Sequence, residues 1–473
     1  MIPCPPCSVK SDSGIYYISS AIRKEPAMKK QKHPLITGAL ILTATGIVTR
    51  FIGFFYKIFL SRTIGAEGIG IYQMIFPIYN VCYALTTAGA EIAVTRFVSG
   101  EAARGNLRRA RSVLHLGLFL SVSLSLLAVL LLYLNADFIA VYLLHDARCA
   151  SLLRIMSATV PFGACYSCIT GYYYGLRRAG IPAAAHLTEQ LVRVSAVYLI
   201  YRVALSEGRS LTPAAAVIGL VLGEFSSMLF GVFAISTDRS ARQQKRKRDY
   251  SLIQLAKNML STAVPVTGNR VCMNLLTSAE ATLIPFTLQQ YGLNSERALS
   301  VYGTLTGMSM SFILFPNVLT NAVSVMLLPS VSESQAAGRR EQLKRTVQKT
   351  VSFCLPMGIT FTVIFLLFGK YLGTFFFKSE MAGDFIITLA WICPFLYLNG
   401  TLHSILNGLG KTSAGFFNNL TGIMIRIIFI LLFVPKAGIE GYLWGLLANQ
   451  LFVTLLNLRA LREYLQPGKA RLS

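Results

Sequence analysis

Long apolar stretches alternate with short polar loops along almost the whole chain. A helix needs about 20 consecutive apolar residues to cross a bilayer. Stretches of that length lie near 35–60, 70–97, 112–134, 152–174, 182–203 and 213–235, and again near 258–288, 299–329, 350–369, 385–407, 413–435 and 439–458. The pattern predicts an all-α polytopic membrane protein with 12 transmembrane helices. The first stretch has full spanning length and no small-residue cleavage site, so it reads as a span rather than a signal peptide.

The polar loops are of two kinds. Assigning alternate loops and both tails to one side of the membrane places 28 Lys and Arg there. The other side holds seven: Arg62, Arg148, Arg209, Arg297, Lys370, Lys378 and Lys436. Such a bias in short loops predicts that both termini are cytoplasmic, in the plasma membrane. The basic run Arg242–Arg248 falls at the midpoint and reads as a cytoplasmic linker near anionic lipid. The expected organisation is a tail at 1–33, an N-lobe at 34–235, a linker at 236–250, a C-lobe at 251–460 and a second tail at 461–473. Residues 1–27 read as unstructured, or as preceding a natural start at Met28.

The two halves share a register. Val98, Ser99 and Gly105 recur 233 residues later as Val331, Ser332 and Gly338. The same shift carries Pro161 and Phe162 onto Pro394 and Phe395, Gly175 and Leu176 onto Gly408 and Leu409, and Arg193 onto Arg426. With an even number of spans per half, the repeat is parallel, about an axis along the membrane normal. Two six-helix lobes around a cleft are the form expected of an alternating-access transporter.

Composition agrees. The 473 residues are 54% hydrophobic and 14% charged, with mean hydropathy +0.56, whereas soluble domains carry about 25% charged residues. The formal charge of +24 sits in loops beside apolar segments, so no nucleic-acid partner is expected. Most of the nine cysteines lie in apolar stretches and act as small hydrophobes. Cys4 and Cys7 have redox spacing, but no second pair follows. The run Gly408–Thr412 ends like a phosphate-binding loop, yet Ile405 stands where its first glycine belongs, so no ATP site is expected. No catalytic triad or metal set emerges. The chain is read as a non-enzyme without a cofactor, with Na⁺ or H⁺ as candidate coupling ions.

The chemistry then rests on charges inside the spans, each costing at least about 2.5–3.5 kcal/mol at mid-membrane. They are Arg50, Lys57, Glu91, Arg96, Glu189, Arg193, Glu224, Arg270, Glu280 and Arg426. Glu189 and Arg193 are spaced for an ion pair on one helix. Lys57 and Arg96 lie near helix ends, where long side chains can snorkel to the interface. Arg50 and Arg270 have no acidic residue within a turn and are expected to face a hydrated cavity, where a guanidinium fork suits phosphate or carboxylate. Arg50, Lys57 and Arg270 are therefore the candidate binding set for an anionic head group, with Arg96, Arg193 and Arg426 as further cavity charges. Glu280 and Glu91 are candidates for ion coupling or as counter-ions, Glu280 to Arg50 or Arg270.

Thr49, Arg50 and Gly53, the run from Leu60 to Gln73 with Gly65, Gly68 and Gly70, and Tyr79 resemble the stage V sporulation protein B group. Tyr302, Gly303, Gly307 and the stretch from Leu327 to Ser332 fit the same group. It belongs to the multidrug/oligosaccharidyl-lipid/polysaccharide (MOP) exporter superfamily, with the lipid II flippases and, more distantly, the MATE drug exporters. The resemblance implies a V-shaped pair of lobes exporting lipid-linked cell-wall precursors, with membrane lipids and wall-synthesis enzymes as partners. It also implies basic residues on the first helix of each lobe: Arg50 matches such a position, Lys57 is near another, and Arg270 lies on the corresponding seventh helix. Many relatives carry Asp where this chain has Glu280. Several have two further C-terminal helices that shape a lipid-tail groove, which cannot be carried over. Two other functions stay open: a MATE-like cation or drug antiporter, and a non-transporting scaffold for wall synthesis.

Overall fold

A computed structural model describes residues 34–238 and 252–465. Cys4, Cys7, the basic run Arg242–Arg248 and the end of the C-terminal tail lie outside the described residues. Helices follow one another with short breaks: α1 Pro34–Tyr83, α2 Gly89–Ala103, α3 Leu107–Leu134, α4 Ala136–Phe138, α5 Cys149–Ser157, α6 Thr159–Gly175, α7 Gly180–Ser206 and α8 Pro213–Thr237. The second half holds α9 Leu252–Gln290, α10 Ser295–Gly303, α11 Met310–Leu314, α12 Asn317–Ala336, α13 Arg340–Phe377, α14 Glu380–Ala390, α15 Cys393–Gly408, α16 Thr412–Leu432, α17 Val434–Ala437 and α18 Ile439–Leu465. Among the described residues there is no strand. In hydrocarbon the helix alone satisfies its own backbone, short of a closed barrel.

Eight of these stretches are long and apolar enough to cross a bilayer, or nine if the pair Glu380–Ala390 and Cys393–Gly408, bent by 60°, is one span. The sequence expectation was twelve. The difference has physical causes. The first stretch, Ile41–Ala103, is 63 residues long, or about 95 Å of helix, three times the hydrocarbon thickness. It breaks at Gly65, whose φ of 72° and ψ of 177° leave helical geometry at a position that suits glycine. Helix α7 carries His186, Glu189, Arg193 and Arg202, which lower its apolar character. The eighth expected stretch is broken into α10, a π-turn at Thr304–Ser309, α11 and α12.

The largest buried apolar cluster joins the halves, bringing Met74 and Ile75 of α1 together with Leu288 of α9 and Leu299 of α10. The closest approach there is backbone on backbone. A Cβ at Gly70 would lie 2.1 Å from the Leu299 carbonyl oxygen, and one at Gly303 would lie 2.2 Å from that of Ala66. Gly303→Ala is expected to force α1 and α10 apart, at about 1–3 kcal/mol. Thermal unfolding in detergent measures this, and an unchanged midpoint would contradict the contact.

Left-handed residues recur in the register seen in the sequence. His145 (φ 55°), Arg177 (φ 58°) and Gly105 (φ 75°) are each matched 233 residues on, by Lys378 (φ 53°), Gly410 (φ 70°) and Gly338 (φ 66°). Corresponding helix ends in the two halves thus turn in the same way.

Candidate anion-binding site

A cavity of about 450 Å³ opens between α1, α7 and the segment from the Thr304–Ser309 turn to α12. Helix α1 lines it with Thr49, Arg50, Gly53, Tyr56, Lys57 and Leu60, and with Tyr72 and Gln73 beyond the Gly65 break. Spacings of three and four residues put the positions before the break on one helical face. Helix α7 adds His186, Gln190 and Arg193 by the same spacing. The second half contributes Gly307, Ser311, Leu314, Phe315 and Val318, none of them charged. The cations are therefore all from the first half.

Their surroundings differ. Arg50 is exposed to the cavity, and its guanidinium donates to the amide oxygen of Asn321 at 2.7 and 3.3 Å. Lys57 lines the cavity as well, and its ammonium has no hydrogen-bond or ion-pair partner among the described residues. Arg193 pairs with Glu189 one turn earlier, as the spacing predicted, and the other Glu189 oxygen meets His186 Nδ1 at 3.2 Å. The Arg193 Nε is buried and unpartnered, as is the hydroxyl of Tyr56. Behind them Glu224 of α8 is buried, accepting from the Tyr79 hydroxyl at 3.4 Å through one oxygen. Its other oxygen has no partner. What the cavity offers a ligand is mainly donors: two guanidinium groups, one ammonium, two phenols and amides. Such a set binds anions.

On the Gly65 side a latch joins the halves. Arg62 donates to the carbonyls of Phe375 and Phe376 at 2.6 and 2.8 Å, in the last turn of α13, where unpaired carbonyls favour a cation. Phe54 packs against Phe312 and Phe315 with ring centroids 5.0 and 4.9 Å apart.

The remaining sequence candidates lie elsewhere. Arg270 does not line the cavity that holds Arg50. Helix α9 meets α1 through Asn274, which donates to the Asn80 carbonyl at 2.8 Å, and Ser278, which donates to that of Pro77 at 2.9 Å. Arg270 is left one turn away, acting electrostatically on Glu91. Glu280 is the counter-ion of neither Arg50 nor Arg270. Its two oxygens are taken by the half-buried Arg426 at 2.9 Å and by the buried Tyr442 hydroxyl at 2.8 Å, a set joining α9, α16 and α18. Arg96 is exposed and donates to Thr262 at 3.4 Å, beside a groove shared with Asn258 and Ser261. Glu91 lines a separate pocket of about 240 Å³ with Tyr83, Tyr166, Thr170 and Tyr174, and His186 borders both spaces. No group of metal-ligating residues occurs among the described residues.

Sequence reasoning noticed Glu224 without giving it a role, and it missed Tyr56, Gln73, His186 and Gln190. For α7 a signal existed: His186, Gln190 and Arg193 recur at helical spacing and form one polar stripe.

An all-α, multi-pass membrane protein with a polar cavity walled by helices from both halves has the architecture of a membrane transporter. Residues 35–335 match the polysaccharide biosynthesis protein family, and the chain belongs to it. Residues 271–432 also match the MatE family. Stage V sporulation protein B of Bacillus subtilis (strain 168) is 28% identical over 90% of this chain and 83% of its own length. The lipid II flippase MurJ of the same organism is 23% identical, over 83% of this chain and 76% of its own. Among solved structures, a multidrug resistance MATE family transporter of the MOP superfamily in an inward-facing conformation superposes with a TM-score of 0.69. It is 14% identical and covers 90% of this chain and 98% of its own. By family the chain is a polysaccharide biosynthesis protein, and by fold it is similar to the MATE transporters.

Proposed function

We propose that the protein is an alternating-access flippase that carries a lipid-linked oligosaccharide or peptidoglycan precursor from the inner to the outer leaflet of the plasma membrane. The observation that carries this is the donor-lined cavity of Arg50, Lys57 and Arg193, in which Lys57 has no acidic partner. A pyrophosphate linkage between sugar and polyprenol is an anion of the right kind for guanidinium and ammonium donors. The curated relatives include a lipid II flippase, which supports the same class of cargo.

Twelve spans in two six-helix lobes accord with the helices. Counting the bent pair as one span, breaking the first stretch at Gly65, and counting α7 and the interrupted α10–α12 stretch as one span each brings the total to the expected number. The matched left-handed residues support a parallel repeat, and the loop charges support cytoplasmic termini. With the inside negative, each net negative charge exported gains about 2.3 kcal/mol per 100 mV, so membrane potential can drive the cycle.

Purified protein reconstituted into liposomes is expected to move a fluorescent polyprenyl-pyrophosphate-linked sugar to the opposite leaflet, scored by membrane-impermeant quenching. Protein-free liposomes should not. Transport of an organic cation, with no movement of the lipid, would instead identify a MATE-like antiporter.

A further inference from the structure

A second polar space lies toward the other face of the membrane, about 46 Å of helix beyond the Gly65 break. It is a groove of about 590 Å³, walled by Arg96 and Phe97 of α2 and by Asn258, Ser261, Thr262 and Val266 of α9, one helix from each half. The groove runs beside the seam where these helices pack. There a Cβ at Gly89 would lie 2.4 Å from the Ala263 carbonyl oxygen, and Met259 is buried among Ala93, Val94 and Val98. Arg96 is exposed, and its one side-chain hydrogen bond among the described residues is a long one, to Thr262 at 3.4 Å. It has no ion pair among them. The sequence offers none nearby: α9 carries no acidic residue before Glu280, and Glu91 and Glu101 of α2 each lie five residues from Arg96, on other faces of the helix. An unpaired guanidinium among hydroxyls and an amide, with no carboxylate, suits an anion.

Depth and lining narrow the kind of anion. Arg96 stands about 10 Å of helix inside the end of α2 at Ala103, close beneath a headgroup layer about 5–7 Å deep. Phe97 and Val266 give the groove an apolar side, which a free ion cannot use and a lipid chain can. Further along α9 the exposed positions Pro265, Gly268 and Asn269 are polar or small, and they lead to the exposed Arg270. Leu260 and Val264, exposed on the adjoining face of α9, suit lipid instead. We infer that the groove is an entry site at the inner leaflet, where Arg96, Asn258 and Ser261 hold the pyrophosphate of the lipid-linked cargo before it moves along α9 to the cavity. Arg270, which stands apart from the cavity of Arg50, then has a place on that path. This deepens the proposed function and rests on it.

Arg96 itself reports occupancy. The full wild-type chain in phosphatidylcholine nanodiscs is treated with an arginine-selective dicarbonyl reagent, and modification of Arg96 is quantified by peptide mass spectrometry. Polyprenyl-pyrophosphate-linked sugar should protect Arg96 severalfold. Phosphatidylglycerol at the same mole fraction, and dimethyl pyrophosphate in solution, should protect it little. Equal protection by phosphatidylglycerol would make the groove a general phospholipid site, and equal protection by the diester a free-phosphate site; either overturns the inference, as does no protection by any of the three. Protection should persist in Arg50→Gln/Lys57→Met, and its loss there would place the anion in the cavity alone, with Arg96 shielded indirectly. In liposomes, Arg96→Gln should raise the cargo fraction that gives half-maximal flipping about tenfold. The maximal rate should stay unchanged, with Arg96→Lys recovering part of the loss. A lower maximal rate at unchanged half-saturation would remove Arg96 from the entry step. A wild type that flips no lipid overturns the proposed function instead, and protection of Arg96 is read without transport.

Discussion

Replacing Arg50 by glutamine and Lys57 by methionine together will slow flipping by about a hundredfold or more while leaving the fold intact. A hydrogen bond to a charged group contributes about 1.5–3 kcal/mol, and every 1.4 kcal/mol is a factor of about ten. Losing two such contacts to the pyrophosphate therefore costs at least about two orders of magnitude. Stability should hardly change, because among the described residues Lys57 has no partner to leave behind and Arg50 bonds only to the neutral Asn321. Glutamine at position 50 can still reach that amide, and methionine at 57 keeps the apolar stem of lysine. Flipping rate and thermal midpoint are measured on the same preparation. A rate within a few-fold of wild type would remove both residues from the binding set. A collapse of the midpoint would make their role structural.

Arg426 should behave in the opposite way. Arg426→Met strips the buried Glu280 of its cation and leaves it only the Tyr442 hydroxyl. Breaking one side of a buried pair costs about 3–5 kcal/mol, because the remaining charge is uncompensated. Adding Glu280→Gln to the same protein removes that charge and should recover most of the loss, with Tyr442 retained as a hydrogen-bond partner. The comparison is made by denaturant titration of the single and double variants in a mild detergent. Equal destabilisation of the two would show that the guanidinium matters for packing rather than for charge. The contrast with Lys57 separates charges that hold helices together from charges that await a ligand.

Much of the fold was legible in the chain, because hydropathy must match bilayer thickness. A shared register was visible too at Gly105 and Gly338, where a left-handed φ suits glycine. Local pairing was legible where partners share a helix, as for Glu189 and Arg193. Pairing between helices was not: Glu280 and Arg426 lie on different helices, and no local spacing announces the bond. The depth of Lys57 was compatible with either snorkelling or cavity lining, and the packing of α7 against α1 puts it on the cavity wall. Arg270 seemed equivalent to Arg50 because each lies on the first helix of its half. The rotation of α9, set by Asn274 and Ser278 against α1, sends it elsewhere. Glu224 was visible as a charge in a span, but its bare oxygen appears only once Tyr79 and Arg193 are placed around it.

Occupancy of the cavity by the lipid-linked anion can be read on the wild-type protein through Lys57. A small amine-reactive reagent is applied in nanodiscs, and modification of Lys57 is quantified by peptide mass spectrometry. Polyprenyl-pyrophosphate-linked sugar should protect Lys57 while leaving exposed lysines such as Lys370 and Lys378 unprotected, and the free polyprenol should not protect it. Labelling of Lys57 that is the same with and without the pyrophosphate-linked lipid would contradict an anion-binding cavity at this place.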